Sequence, residues 1–276
     1  MDFGSCDPRL LDEADAIAEE LVQSVGVDPD DILLVGARCR DAIHSALGFS
    51  FPLLATRDTD IGLALRDWSI FEEIRERYRP TGSTGVRFLV AGTPVDLMPF
   101  GSIENPDGVV TPRARMEPIS VFGFEDVHSD AAVVPLPSGI SIRIPKPAGY
   151  AALKLRAWVD RSVAGDAKDA KDLAVACFWY QNWPVVEDRL WADDGTLLLP
   201  FELDMDRAAV ALLRADSMAL LEVPRAADLA RRCADTDRDL FIRNFSIHGT
   251  NLWPRDRDVL RSYATELLAP SSDTSP

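Results

Sequence analysis

Residues 32–38 read Ile32-Leu33-Leu34-Val35-Gly36-Ala37-Arg38, a short apolar run that ends in glycine. An uninterrupted run of Ile, Leu and Val of this length is typical of a buried strand. The apolar residues Ala42, Ile43 and Ala46 recur at helical spacing, so a helix is predicted to follow Gly36. A strand–glycine–helix junction exposes free backbone amides at the positive end of a helix dipole, and glycine lets an anion approach the backbone. The junction is either an ordinary turn or an anion site.

A pair of acidic residues opens the next apolar run, Thr56-Arg57-Asp58-Thr59-Asp60-Ile61-Gly62-Leu63. Because side chains alternate along a strand, Asp58 and Asp60 lie on one face with their Cα atoms about 6.5 Å apart. Asp is disfavoured in strands and two carboxylates on one face repel each other, so a positive charge is expected between them. Hard oxygen ligands of this kind suit Mg²⁺ or Mn²⁺. The alternative interpretation is a solvated loop just before the strand.

A third acid lies in a later apolar stretch, Val95-Asp96-Leu97-Met98-Pro99-Phe100. Residues 86–90 and 95–98 are predicted to form a hairpin through the turn Ala91-Gly92-Thr93-Pro94. A lone carboxylate in an apolar strand is costly unless it is paired or binds a metal. Otherwise Asp96 is an edge-strand acid that points to water. Taken with Asp58 and Asp60, it completes a set of three carboxylates that can hold two Mg²⁺ ions and support an in-line displacement at phosphorus.

The pattern of apolar and polar residues changes near Pro145-Lys146-Pro147. Short strand patterns and amphipathic helices alternate before this point, beginning with a helix capped by Asp7-Pro8. Helical periodicity dominates after it. The chain is therefore predicted to contain an α/β portion over residues 1–145, a helical domain over 146–270 and a disordered tail over 271–276. The predicted helices of the second part cover residues 148–161, 166–182, 206–222, 225–234, 236–246 and 255–268. The tryptophans in and between them are interpreted as core residues: Trp158, Trp179, Trp183 and Trp253.

The chain of 276 residues carries 45 acidic and 29 basic residues, a net charge of −16. Such a balance disfavours a protein that coats DNA or other nucleic acid over long stretches, and it disfavours docking on an anionic membrane. The charge is uneven, because residues 1–31 hold ten acids and one base, whereas residues 143–171 carry a net charge of +4. The total charge therefore does not exclude a local site that binds one anionic group.

Cysteine usage and the N-terminus point to the cytoplasm. The four cysteines, Cys6, Cys39, Cys177 and Cys233, form no C-x-x-C pair and no disulfide framework. The N-terminus is acidic and lacks the basic and apolar regions of a signal peptide. The longest apolar run, residues 173–180, is far shorter than the roughly 20 residues of a membrane span.

In order and combination these motifs resemble the polymerase-β-like nucleotidyltransferase superfamily, whose signature is a glycine turn, an Asp-x-Asp pair and a third acid. More narrowly, the chain is similar to nucleotidyltransferases of the AbiEii/AbiGii toxin type. The resemblance covers about residues 30–180. It rests on the motifs at 35–38, 56–60 and 95–101, on Leu153-Lys154-Leu155-Arg156-Ala157-Trp158 with Asp160-Arg161, and on Lys168-Asp169-Ala170-Lys171-Asp172-Leu173. The resemblance implies an α+β fold, with a nucleotidyltransferase-like mixed sheet and flanking helices followed by an all-helical domain.

The resemblance also implies roles for individual residues. Asp58 and Asp60 would bind Mg²⁺ or Mn²⁺, and Asp96 would complete the metal site and help to activate the attacking hydroxyl. Gly36 would hold the triphosphate of an NTP. Ala37 stands where the family often has Ser or a second Gly, so phosphate contacts would rest on backbone amides or on Arg38 or Arg40.

The helical motifs of the family would face the nucleotide through Lys154 and the 168–172 stretch. The residues concerned are Lys154, assigned to catalysis, and Lys168, Asp169 and Asp172, assigned to nucleotide binding. Two ordinary interpretations stand beside these. The Lys154 stem can lie over apolar surface, and the 168–172 stretch can be a solvated helix face with i,i+4 pairs such as Lys168–Asp172.

The implied activity is transfer of a nucleoside monophosphate from an NTP to an acceptor hydroxyl, with release of pyrophosphate. The narrower resemblance suggests the toxin of a toxin–antitoxin pair that acts on tRNA or another RNA end and has a cognate antitoxin protein. A small hydroxylated acceptor, as in aminoglycoside nucleotidyltransferases, is the alternative within the same class. A non-catalytic domain that binds NTP or a protein is a second alternative. A glycosyltransferase would use Asp-x-Asp with Mn²⁺ but would leave Gly36 and Asp96 unexplained.

Overall fold

The computed structural model describes residues 1–55, 58–113 and 117–270. The chain forms two compact units. The first contains Met1–Ser50 and Leu54–Lys146, and the second contains Phe51–Leu53 and the chain from Pro147 onward. The second unit therefore includes three residues that lie far from the rest of it in sequence. The tail predicted over 271–276 lies outside the described residues.

A mixed six-stranded sheet forms the centre of the first unit, with the strand order β3-β4-β2-β1-β8-β7. Pairs β1–β2, β3–β4 and β7–β8 are antiparallel, whereas β1–β8 and β2–β4 are parallel. Strands β5 and β6 form a separate two-stranded sheet. The strands of the first unit are β1 (Ile32–Val35), β2 (Thr59–Leu65), β3 (Arg87–Val90), β4 (Thr93–Gly101), β5 (Val109–Val110), β6 (Ile119–Ser120), β7 (Ala132–Pro135) and β8 (Ser141–Ile144).

Four α-helices flank this sheet. They are α1 (Asp12–Val25), α2 (Gly36–Ala46), α3 (Ser69–Arg77) and α4 (Phe124–Asp130). The buried residues of α1 recur at helical spacing, and the helix ends at Gly26 in the left-handed conformation. Its start differs from the prediction, because Asp7 caps a short 3-10 turn over Pro8–Leu10 and α1 begins after it.

The β3–β4 hairpin turns through Ala91 and Gly92, which both have positive φ angles. Two central residues with positive φ characterise the type I′ turn, whose twist matches that of the flanking strands. The turn fixes the register, so that Val90 faces Thr93 and Arg87 faces Asp96. This register determines which side chains meet at the candidate site.

The second unit contains helices and, in the part that the structure describes, no strand. Its helices are α5 (Pro147–Ser162), α6 (Lys168–Gln181), α7 (Pro184–Gly195), α8 (Met205–Ala219), α9 (Val223–Ala234), α10 (Arg238–Asn244) and α11 (Arg257–Leu267). Helix α7 leaves helical geometry at residues 192–194, and a 3-10 segment, Thr196–Phe201, follows it. The α+β class predicted from the sequence is confirmed.

Aromatic side chains form the core of the second unit. Trp158 packs edge-on against Phe241 with 4.9 Å between ring centroids, and Trp179 packs against Tyr150 at 5.4 Å. Trp158, Trp179 and Trp253 are buried, which confirms that these three are core residues. In the described residues, no helix combines the length and the apolar character that crossing a membrane requires.

Candidate functional site

A row of aligned residues crosses four neighbouring strands of the first unit. Val35 on β1 lies opposite Asp60 on β2, Asp60 lies opposite Asp96 on β4, and Asp96 lies opposite Arg87 on β3. Directly opposed residues project to the same face of a sheet. The sheet therefore brings together two of the three predicted acids and places an arginine beside them.

Arg87 joins Asp96 to the third predicted acid, Asp58. Its Nε and Nη2 atoms donate to the two carboxylate oxygens of Asp96, both at 2.9 Å, and Nη2 also donates to Oδ2 of Asp58 at 2.7 Å. All three side chains are partly exposed. The hydrogen bonds to Asp96 and Asp58 raise the pKa of Arg87 above its ordinary value. Arg87 thus places a positive charge between Asp58 and Asp96, whereas the sequence predicted one between Asp58 and Asp60.

Gly36 lies directly against the Asp60 carboxylate. It is the first residue of α2 and has a φ of 68°, in the left-handed region. A Cβ atom at this position would lie 2.0 Å from Oδ2 of Asp60. Only glycine fits both the backbone and the carboxylate. The Asp60 carboxylate therefore rests against the first turn of α2, where the helix dipole stabilises a negative charge.

The other predicted residues of this junction have structural contacts. Ala37 is buried. Arg38 donates from Nη2 to Oε2 of Glu13 on α1 at 2.6 Å, and the Thr59 hydroxyl donates to the same carboxylate oxygen at 3.1 Å. Arg38 is thereby held beside the start of β2, the strand that carries Asp60.

Arg40 belongs to the interior of the first unit and is only 3% exposed. Its Nη2 atom donates to Oδ1 of Asp41 at 2.8 Å and to the carbonyl oxygen of Leu54 at 2.6 Å. The structure does not bring Arg40 into the row of acids. Thr56 and Arg57, which precede Asp58 in the quoted motif, lie outside the described residues.

Three of the four predicted site residues of the second unit, Lys154, Asp169 and Asp172, belong to a charge cluster between α5 and α6. Nζ of Lys154 lies 2.6 Å from Oδ2 of Asp172 and 3.4 Å from Oδ1 of Asp169. Nη1 of Arg161 lies 3.0 Å from Oδ2 of Asp169, which is fully buried. Lys168 lies outside this cluster: it is exposed and pairs with Asp166 at 3.4 Å.

Lys154 remains a cation in this environment. Burial alone would lower its pKa, but the charges of Asp172 and Asp169 outweigh burial and raise the pKa. Its Nζ also lies 5.6 Å from the centroid of the Tyr150 ring. The motif shared by α5 and α6 therefore forms a buried, compensated network that ties the two helices together.

The donor set at the first cluster fits a hard divalent cation by its chemistry, since Asp58, Asp60 and Asp96 offer only carboxylate oxygens on one face of the sheet. Across residues 1–55, 58–113 and 117–270, however, no group of three or more His, Cys, Asp or Glu side chains is already arranged as a metal site. Arg87 lies between two of the acids instead.

Arg87 is the site residue that sequence reasoning missed. Strand β3 alone gives no reason to select it, because Arg87 simply begins an apolar run. The usable signal was the hairpin: a two-residue turn at Ala91-Gly92 pairs residue 87 with residue 96.

Comparisons with protein-family models, curated proteins and solved structures found no match to this chain.

Proposed function

We propose that this protein is a metal-dependent nucleotidyltransferase, which transfers a nucleoside monophosphate from an NTP to an acceptor hydroxyl and releases pyrophosphate. The observation that carries the proposal is the alignment of Asp60 with Asp96 across β2 and β4, with Asp58 joined to Asp96 through Arg87 and Gly36 packed against Asp60. The acidic motifs and the glycine turn of the first unit thus lie in one cluster, whereas the motifs of α5 and α6 belong to the second unit.

The chemistry assigned to the cluster is an in-line displacement at the α-phosphorus of the NTP. A bond forms between the acceptor oxygen and phosphorus, the bond from phosphorus to the bridging oxygen breaks, and pyrophosphate leaves. Asp58, Asp60 and Asp96 would hold Mg²⁺ or Mn²⁺, which, when bound, supplies charge neutralisation for the triphosphate. Asp96 accepts the proton of the attacking hydroxyl.

The glycine turn and nearby arginines complete the assignment. The backbone amides that begin α2 bind phosphate oxygens, since Ala37 brings no hydroxyl. Arg87 is a cation in contact with two of the acids, and its guanidinium can move from carboxylate to phosphate because both offer paired oxygens. Arg38 lies beside the same junction through its contact with Glu13.

The acceptor class in the proposal is an RNA end, such as that of tRNA, with the protein acting in the cytoplasm as the toxin of a toxin–antitoxin pair. It comes from the resemblance of the motifs at residues 30–180 to AbiEii/AbiGii-type nucleotidyltransferases. A small hydroxylated acceptor is the alternative within this class. Arg87 favours a second candidate, a non-catalytic NTP- or protein-binding domain, because an arginine already neutralises two of the three acids.

Transfer of label from α-³²P-NTP tests the proposal directly. Purified protein is incubated with each NTP and Mg²⁺ in the presence of tRNA, total RNA, a protein mixture or an aminoglycoside. We expect Mg²⁺-dependent labelling that Asp60→Asn reduces by at least about 100-fold, the scale at which removing one electrostatic group affects catalysis. Asp12→Asn, an exposed position in the first turn of α1, is the matched control and should retain full activity.

Two results would contradict the proposal. Labelling that persists undiminished in Asp60→Asn would remove the acids from the reaction. Calorimetric binding of NTP without transfer to any acceptor, by protein whose fold is intact, would favour the non-catalytic candidate.

A further inference from the structure

A cavity of about 640 Å³ lies in the second unit, where the chain passes from the end of α10 to the start of α11. Its cationic or titratable lining residues are Arg243, His248, Arg255 and Arg257, and buried Phe245 and Trp253 contribute apolar surface. Ser246, Thr250 and Asn251 add hydroxyl and amide groups. None of the residues that line the cavity is Asp or Glu.

The arginines of this cavity lack the carboxylate partners that several arginines elsewhere in the unit have. Arg161, Arg189 and Arg207 all pair with carboxylates. Within the part of the chain that the structure describes, Arg243 and Arg257 have no ion pair. Arg255 donates only to an uncharged group, Oδ1 of Asn251 at 3.4 Å. A chain with a net charge of −16 thus leaves a local group of arginines without carboxylate partners in one concavity.

Tight packing holds the walls of the cavity in place. Nε1 of Trp253 donates to the carbonyl oxygen of Phe245 at 3.3 Å, and the two rings pack edge-on at 5.2 Å. Gly249 has a φ of 101°, and a Cβ atom there would lie 2.6 Å from the carbonyl oxygen of Pro52. The loop that carries His248 therefore packs closely against residues 51–53 of the same unit, so the site is largely preformed.

We infer that this cavity binds the phosphate backbone of a single-stranded polynucleotide. Guanidinium groups match phosphate oxygens in a two-pronged geometry, and several arginines on one cavity fit a ligand with successive phosphates better than a single small anion. A concave site accepts a single strand, whereas readers of a duplex insert a projecting element into a groove. The inference names the class of the acceptor and rests on the proposed function in that respect, although binding itself requires no transfer.

Fluorescence anisotropy tests the inference on the full chain without NTP or metal. The probe is a short fluorescein-labelled single-stranded oligoribonucleotide, titrated at several salt concentrations. We compare Arg243→Gln/Arg257→Gln with the matched control Arg231→Gln/Arg232→Gln, which removes the same charge from exposed positions on α9. Because Arg243 and Arg257 are exposed and form no ion pair in the described structure, thermal unfolding of the test variant should match that of the wild type.

Each lost phosphate contact should lower the salt exponent for a single strand by about 0.7. The test variant should therefore bind about 25-fold more weakly at about 0.1 M salt, with a salt exponent lower by about 1.4, while the control changes little. Equal weakening in both variants, or unchanged affinity in the test variant, overturns the inference. Competition by polyaspartate as effective as that by unlabelled RNA also overturns it, in favour of an acidic protein partner.

The outcome separates this inference from the proposed function. Salt-dependent RNA binding that the test variant loses supports the cavity even if no NTP transfer is found. Mg²⁺-dependent transfer that needs Asp60, combined with RNA binding indifferent to Arg243 and Arg257, overturns the cavity alone.

Discussion

Arg87 neutralises two acids of the candidate site, because its guanidinium contacts both Asp58 and Asp96. We predict that Arg87→Gln lowers the free energy of unfolding by about 1–2 kcal/mol, since the two carboxylates lose charge-assisted hydrogen bonds at a partly exposed site. Added Mn²⁺ should then raise the unfolding temperature of the variant more than that of the wild type, because the Arg87 guanidinium no longer competes with the metal. Thermal unfolding with and without MnCl₂ measures both effects.

Arg87→Lys is the control for charge alone. It keeps the cation but loses the planar pair of donors, so its stability should fall between those of the other two proteins. Equal Mn²⁺-induced shifts in all three would show that Arg87 does not compete for the acids.

Gly36 allows a second test at the residue scale, because strain and steric clash can be separated. Gly36→Ala combines a positive φ with a Cβ atom 2.0 Å from Asp60, whereas Gly26→Ala has a positive φ and open space around the new methyl group. We expect Gly26→Ala to cost about 1 kcal/mol of stability and to leave the cluster intact. Gly36→Ala should cost more and displace the Asp60 carboxylate.

The readouts for this pair are chemical unfolding and the nucleotidyl-transfer assay. Gly36→Ala should lower transfer by at least about 100-fold, as expected for a displaced catalytic group. Equal behaviour of the two glycine variants in both assays would mean that the contact with Asp60 is unimportant.

At the scale of elements, the sequence predicted those whose patterns are local. The apolar run of β1 and the helical stripes of α1, α8 and α11 are visible in the sequence because burial repeats at a fixed period. Helix α7 was missed because only Val186 and Leu190 within its regular turns are buried, so it carries almost no stripe. Strands β5 and β6 have two residues each and exist through pairing with each other, so no local pattern in the sequence predicts them.

The candidate site likewise contains residues that the sequence predicts and contacts that it does not. Asp58, Asp60 and Asp96 were predictable because an acid next to, or within, an apolar strand is unusual wherever it occurs, and Gly36 was predictable because it ends an apolar run. The contact with Arg87 depends on strand register, and the burial of Arg40 depends on the position of Leu54. Both depend on the tertiary structure, so no local sequence pattern predicts them.

The network between α5 and α6 gives a prediction for a pair of elements. Asp169→Asn would leave Arg161 without its carboxylate and Lys154 with Asp172 as its main counter-ion. We expect a loss of about 3 kcal/mol in the free energy of unfolding, because breaking a buried ion pair leaves an uncompensated charge. The control Asp166→Asn changes a half-exposed carboxylate three residues earlier and should cost less than about 1 kcal/mol.

Chemical denaturation monitored by tryptophan fluorescence measures this difference, since Trp158 and Trp179 lie on the same two helices. If Asp169→Asn instead left stability unchanged and abolished only nucleotide transfer, the cluster would have a functional rather than a structural role.

At the scale of the whole molecule, some of the acidic residues that produce the negative net charge form structural contacts. The N-terminal residues 1–31 carry ten of the acids, and several of these fix α1 to the rest of the first unit. Glu13 accepts from Arg38 and Thr59, and Asp15 accepts from the backbone amide of Ser138. The total charge therefore describes the surfaces of this protein poorly, and the cationic cavity of the second unit is compatible with it.

The segment Phe51–Leu53 allows a prediction about how the chain is divided. Although it precedes β2 in sequence, Phe51 packs edge-on against Phe178 of α6 at 5.2 Å, and Pro52 lies against Gly249. Phe51→Ala should therefore destabilise the second unit by about 1–2 kcal/mol, the loss of a half-buried aromatic ring and its edge contact. Hydrogen exchange followed by mass spectrometry should show faster exchange in α6 and unchanged exchange in β2 and β4.

Phe49 is the matched control, because it lies two residues earlier, is also half-buried, and packs against His44 of α2 at 5.4 Å in the first unit. Phe49→Ala should accelerate exchange in α2 and leave α6 unaffected, the reverse of the Phe51→Ala pattern. Two aromatic residues on one short stretch of chain would then report on different units, as expected where the chain passes from one folded unit to the other and back. Faster exchange in the same elements for both variants would show that residues 49–53 belong to a single unit and that the division at Ser50 is wrong.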